Sequence, residues 1–160
     1  MSKRFRLLSV GRGMPAPIRE LVDDYGGRLK RYGGFELIEI AEGRRQGKES
    51  DATRRKAMED EAQRIQAKMD RRVWVALDRT GKGLDSEKWA QQLGRWQEDG
   101  QRDIGLIIGG PDGLTQPLLQ KCPFRLGLGA MTFPHMLVRV MVLEQLYRSM
   151  TILDGVPYHR

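Results

Sequence analysis

The residue types best suited to chemistry gather late in the chain. The last six residues, GVPYHR (155–160), set Tyr158, His159 and Arg160 side by side. A phenol stacks on or hydrogen-bonds a planar ring, an imidazole accepts a proton near neutral pH, and a guanidinium grips phosphate or steadies developing negative charge. Arg139 is a second guanidinium with the same capability. A plainer account of His159 is an exposed terminal histidine. His135, directly after Pro134, reads mainly as a residue that orders its loop by hydrogen-bonding backbone.

Two glycine-bearing loops are the other candidates. LIIGGPDGL (106–114) is an apolar run ending in glycines, and α/β sheets hold ligands at such strand ends because glycine admits close backbone approach and leaves amides free. LGLGAMTFPH (126–135) also follows a strand-like run and opens a helix, and two such loops on adjacent strands make one crevice. A tight turn is the competing account of the first. Neither loop has the dinucleotide spacing GxGxxG, TGKG (80–83) lacks the P-loop pattern, and there is no G-x-S-x-G elbow. With His135 and His159 far apart, Cys122 the only cysteine and no acidic ligand cluster, no metal site is expected.

The elements that must position these groups follow from periodicity. Residues 4–9 and 35–40 are strand-like, and between them Ile18, Leu21, Val22, Tyr25 and Leu29 recur at helical spacing. A second helix is expected over about 49–69, a strand over 71–78, and a third helix over 86–97 capped by Asp85 or Ser86. A strand over 103–110, a short helix near 115–120 and a strand-like run at 122–129 complete the alternation. Pro134 is expected as the first residue of a final helix reaching about 153, with Thr132 or Phe133 as its cap. The order predicts an α/β fold with a mostly parallel sheet flanked by helices, in a single domain over residues 1–160.

On the final helix, Met136, Val140, Leu143, Tyr147 and Met150 form one apolar stripe and Val138, Val142 and Leu146 a second. Two stripes mean either a fully buried core helix or one face packed on another subunit. Arg139 falls on the apolar side, where its stem is expected to snorkel unless a partner or ligand meets it, and Glu144 and Arg148 form an i,i+4 pair.

Composition sets the outer bounds. Lys and Arg exceed Asp and Glu by 28 to 21, a net charge of +7 that suits a polyanionic partner such as nucleic acid without proving one. One cysteine gives no intrachain disulfide framework, no run approaches a membrane span, and the apolar run among the first residues is too short for a signal peptide. A cytoplasmic, reducing location is expected.

LIIGGPDGL, LGLGAMTFPHMLVRVMVLEQLYRSM and GVPYHR, in this order and spacing, resemble the large-subunit ribosomal RNA methyltransferase H family over most of the chain, with SVGRGMPAPIRELVDDYGGRL and FELIEI fitting as well. Gly127 and Gly129 depart from the pattern, since many relatives are expected to carry serines there. The resemblance implies the SPOUT class, whose C-terminal segment is tied into a deep trefoil knot, a feature periodicity would never suggest. It further implies S-adenosyl-L-methionine as cofactor, a homodimer with its active site at the interface, and methylation of N3 of a pseudouridine in 23S rRNA within the assembled ribosome. Carried across by motif, Leu77, Gly109, Leu128, Gly129, Ala130, Met131, Thr132 and Phe133 surround the cofactor. Tyr158, His159, Arg160 and Arg139 serve the target base. Two other classes compete: a basic RNA-binding or ribosome-assembly protein without catalysis, and a nicotinamide-dependent oxidoreductase, which the missing dinucleotide fingerprint disfavours.

Overall fold

The fold, a computed structural model, describes residues 2–160. Five strands, β1 (Phe5–Val10), β2 (Phe35–Ile40), β3 (Val73–Gly83), β4 (Ile104–Ile108) and β5 (Phe124–Gly127), form one sheet in the order β2-β1-β4-β3-β5. All pairings are parallel, with Phe5 opposite both Phe35 and Ile104, and Val73 also opposite Ile104. Helices α1 (Ala16–Arg28), α2 (Asp51–Gln66), α3 (Ser86–Glu98), α4 (Gln116–Gln120) and α5 (His135–Asp154) cover the two faces.

Side-chain alternation along each strand decides which helices lie where. Phe5 and Leu7 of β1, Val73 and Val75 of β3, and Ile104, Leu106 and Ile108 of β4 pack with α1, α3 and α5. Leu8 and Val10, Trp74 and Ala76, and Ile107 face α2 and α4 through Ala62, Ile65, Leu118 and Leu119. The Trp74 ring crosses β4 at Gly105, where a Cβ would stand 2.4 Å from the indole; only a residue without a side chain lets the ring lie flat there. Burying a Trp89-sized side chain, as at the start of α3, contributes roughly 2–3 kcal/mol.

The helix boundaries follow local chemistry. Ser50 and Thr53 form a reciprocal capping box on α2, and the Asp85 carboxylate accepts the Lys88 amide at 2.7 Å to start α3. The first helical run breaks earlier than its apolar spacing suggests: residues 29–32 tighten into a 3-10 turn that closes at Gly33, φ 114°. Pro134 is the cap residue of α5 and His135 its first helical residue, one position later than the sequence expectation; neither Thr132 nor Phe133 is the cap.

Two larger differences bear on the site. The third strand runs on to Gly83, because residues 78–82 make an excursion and Lys82 and Gly83 then return to pair with Leu126 and Gly127, after Leu77 has already paired with Leu126. The segment curls over β5 closely enough that a Cβ on Gly81 would sit 2.8 Å from the backbone of residues 125–127, and one on Gly127 would sit 2.8 Å from Gly81 O. A serine at 127 therefore has no room in this chain. Secondly, both stripes of α5 pack largely on the chain's own α1, α3 and sheet, with Val140, Val142, Leu143, Leu146 and Met150 buried and Met136, Val138 and Tyr147 half-buried. A partner subunit is not needed to cover either stripe.

Candidate active site

The loop after β5 forms the floor of a cavity of about 750 Å³ between α1, α3 and α5. Its apolar wall includes Leu84, Trp89, Leu126, Leu128 and Val140. Glycine backbone at Gly83, Gly127 and Gly129 opens onto it, and Tyr25, Ser86, Glu144 and Gln145 stand among its polar groups. That size and mixture suit a nucleoside-sized ligand: flat apolar surface for a ring, with a few polar groups to orient it. Gly129 has φ +111°, a backbone region that side chains disfavour, so a serine there is strained even though the space is open.

Of the residues expected around a cofactor, Leu128 and Gly129 line this cavity, and Leu77 packs into the same apolar cluster as Leu128. Ala130, Met131 and Thr132 continue the loop as exposed residues, with Met131 76% exposed, and Phe133 is half-buried. Gly109 lies on the loop after β4, where a Cβ would meet Leu114 at 2.9 Å and Gly113 at 3.0 Å, so it allows a tight turn. That loop is anchored from the other face of the sheet. Arg45 pairs with Asp112, and the buried Glu61 lies against Gly110 while accepting the Gly43 amide at 2.9 Å. Burial raises the Glu61 carboxyl above the ordinary carboxylate range.

The tail is not a loose end. Its anchor is the i,i+4 pair on α5: Arg148 donates two hydrogen bonds of 2.9 Å to the Glu144 carboxylate, one to each oxygen. The Tyr158 hydroxyl donates to Glu144 Oε2 at 3.1 Å, and its ring lies 4.9 Å beneath the Arg148 guanidinium and edge-on to Tyr147. Burial, then its neighbours Tyr25 and Glu144, push the Tyr158 phenol up to about 12. Arg148 Nη1 lies 3.1 Å from His159 Nδ1, and because a guanidinium only donates, Nδ1 accepts and the ring proton of a neutral His159 sits on Nε2. That nitrogen is 3.5 Å from Glu87 on the first turn of α3. Arg160 is exposed.

Tyr158 and His159 thus span from α5 to α3 along the cavity rim, since Glu144, Ser86 and Tyr25 are cavity residues. The order comes from the tail's own chain rather than from a partner or RNA. Ser86 Oγ donates to Gln145 at 2.7 Å and Gln145 donates to Glu144 at 3.1 Å, so the rim forms one continuous hydrogen-bonded line.

Arg139 does not snorkel. It is fully buried, and its donors go to Glu39 at 2.7 Å, Ser9 Oγ at 2.8 Å and the Gly11 carbonyl at 2.9 Å. The guanidinium therefore ties the first turns of α5 to the carboxyl ends of β1 and β2. His135 stands beside the same loop, its Nε2 3.0 Å from where a Gly11 Cβ would be. Sequence reading missed Tyr25, Leu84, Ser86, Met141 and Gln145 as cavity residues; the one available signal was the pair of glycines in TGKG, which proved to mark the curl over β5.

Comparison with known proteins points one way. A family model described as a predicted SPOUT methyltransferase matches residues 3–159. A ribosomal RNA large subunit methyltransferase H from Magnetococcus marinus is 68% identical over 157 residues, covering 98% of this chain and 99% of its own. Its namesake from Alkalilimnicola ehrlichii is 45% identical with the same coverage. Among solved structures, a probable methylase family protein from Haemophilus influenzae Rd KW20 shares the fold with a TM-score of 0.57 at 12% identity, over 96% of this chain and 67% of that one.

Proposed function

This chain belongs to the ribosomal RNA large subunit methyltransferase H family of SPOUT methyltransferases, and on that premise we propose that it methylates N3 of a pseudouridine in 23S rRNA, in the assembled ribosome, with S-adenosyl-L-methionine as donor. The observation that carries the reading is the tail: an aromatic and an imidazole held along the rim of a cavity of nucleoside size, with the exposed guanidinium of Arg160 beyond them. When bound, the donor supplies an electrophilic sulfonium methyl. Leu77, Gly109 and residues 128–133 would hold it, the glycine backbone reading polar edges and the leucines covering the ring.

The chain's own residues then have two tasks. The first is alignment: methyl transfer to a ring nitrogen needs the reacting atoms in line at about 3–3.5 Å, and a rigid rim serves that better than a mobile one. Arg139 contributes from inside as a positioning residue, since its bonds to Ser9, Glu39 and Gly11 fix the start of α5 directly after the donor loop. The second is the N3 proton. His159 is its acceptor, and because Nδ1 is taken by Arg148 in this arrangement, the imidazole takes a proton only after that bond is exchanged. Tyr158 stacks on or bonds the target base, while Arg160, exposed at the end, holds phosphate.

The unit is one SPOUT domain over 1–160, and the excursion of residues 78–82 around β5 is the structural feature that fits the class's trefoil knot. A homodimer completes the site. Leu21 on α1 and Leu137 on α5 are about 40% exposed on packed neighbouring helices and supply apolar surface for it. No helix among the described residues is long and apolar enough to cross a membrane, and the location we propose is cytoplasmic.

The deciding experiment is methyl-label transfer from S-adenosyl-L-methionine to ribosomes lacking this modification, followed by mapping of the labelled nucleotide. Label on a single pseudouridine at N3 is expected. Saturable RNA binding with no label, and no cofactor binding by calorimetry, would instead mark an RNA-binding protein without catalysis.

A further inference from the structure

The edge of the sheet opposite the cavity carries an arrangement that methyl transfer does not use. At the amino ends of the strands, three inward-turned arginines collect the backbone of the segments entering the sheet. Arg4 donates to Arg102 O at 3.1 Å, Tyr32 O at 3.2 Å and Gln97 Oε1 at 2.7 Å. Arg72 donates to Lys3 O at 2.8 Å and Arg4 O at 2.9 Å, and Arg6 donates to Lys68 O at 3.0 Å. These bonds draw Lys3, Lys68, Arg71 and Arg102 onto one rim, where all four are exposed.

The charges on this rim are not balanced. Two of its carboxylates are spent, Glu36 on Arg6 and Asp70 on Arg6 and Arg72, which leaves the exposed Asp103 against four cations. Arg4, only 6% exposed, has no carboxylate within ion-pair distance among the described residues; its three bonded partners are neutral. Burial and then the neighbouring Arg102 bring its pKa down to about 10, against a smaller opposing effect of Asp103, so the guanidinium remains charged at neutral pH. The side chains of Lys3, Lys68, Arg71 and Arg102 make no ion pair or hydrogen bond among the described residues. A buried cation bonded only to neutral groups, beneath four unengaged exposed cations, produces a positive potential that the exposed Asp103 offsets only in part.

We propose that this amino-edge rim is a second contact with the RNA backbone, in which Lys3, Lys68, Arg71 and Arg102 neutralise phosphates of the substrate RNA about 20 Å, one strand length, from the cavity edge. The inference rests on the rRNA reading above and adds where the protein grips. Phosphate is the fitting partner because the four groups are flexible cations spread along a rim rather than converged on one point, which suits a repeating polyanion more than a single small anion. Such a contact carries affinity and orientation without base specificity.

The test replaces the four cations together (K3Q, K68Q, R71Q and R102Q) and measures binding to intact ribosomes and to extracted 23S rRNA across a salt series. The dependence of log affinity on log salt is expected to flatten by about 3, and affinity at low salt to fall more than about tenfold on both substrates. Calorimetric affinity for S-adenosyl-L-methionine and the thermal midpoint stay at wild-type values. If K3Q lowers the midpoint through its packing on Gly34, the set without it is used and a flattening of about 2 is expected. An unchanged salt slope overturns the proposal. So does weakened binding to ribosomes with unchanged binding to extracted rRNA, which would assign the rim to a ribosomal protein. Failure of the methyltransferase reading shows separately, as absence of label transfer by the wild-type chain.

Discussion

Arg139 and Arg4 are both buried guanidiniums at opposite ends of one sheet, and the chain treats them oppositely. At the cavity edge, Arg139 meets the Glu39 carboxylate as well as Ser9 and Gly11, so its charge is cancelled where it stands. At the far edge, Arg4 bonds only neutral acceptors. A compensated charge holds elements in place without projecting a field, and the loops beside Arg139 keep their backbone groups for a ligand. An uncompensated one holds elements in place and also attracts anions. The two edges thus divide positioning from attraction.

The largest effect should come from breaking the cavity edge at the tail proposed to meet substrate. Deleting Tyr158–Arg160 is expected to lower methyl transfer to ribosomes by roughly 100-fold or more, the scale of a lost proton acceptor, with cofactor affinity kept within a few-fold by calorimetry. Turnover at the wild-type rate would remove the tail from the site. Next in size is the direct contrast between the arginines. Arg139→Met should cost about 3 kcal/mol in urea denaturation because Glu39 loses its partner, and adding Glu39→Gln should recover part of it. Arg4→Met should cost less, about 1–2 kcal/mol, since the acceptors it leaves lie where water can reach the edge. The reverse order would refute the distinction drawn between the two edges.

The smallest effect sharpens the same contrast through pH. With the folded Tyr158 phenol at about 12 against an ordinary 10, its contribution to stability is complete below pH 10 and is lost as pH rises through 12. Absorbance titration of tyrosinate should show a late step near pH 12 that Tyr158→Phe removes. If that substitution leaves the titration near pH 12 unchanged, the tail is not held as described.

Much of this was legible in local sequence. Strand alternation, the Asp85 cap and the Glu144–Arg148 pair are short-range signals, and each stands where spacing placed it. Of the two glycine loops only the second lines the cavity, through Leu128 and Gly129; β3 stands between β4 and β5, so the loops do not follow adjacent strands, and Gly109 lies outside the lining. The fate of Arg139 was not legible, because its partner Glu39 is 100 residues away and nothing near either residue marks the other. The same holds for the tail. GVPYHR showed what chemistry was available, but that Tyr158 would settle on Glu144, and that Tyr25 would meet it, depends on α1 and α5 packing together. TGKG was readable only as a failed phosphate loop; Gly81 matters because two backbones pass within contact of each other there.

That last contact also bears on when the molecule can come into being. β5 lies against both arms of the excursion made by residues 77–83, and the cavity floor and tail come later still in the chain. On a translating ribosome, the first four strands emerge well before the residues that finish the site. The nascent chain therefore exposes the residues of most of its sheet before those of the cavity, whose lining is complete only when its final helix has left the exit tunnel.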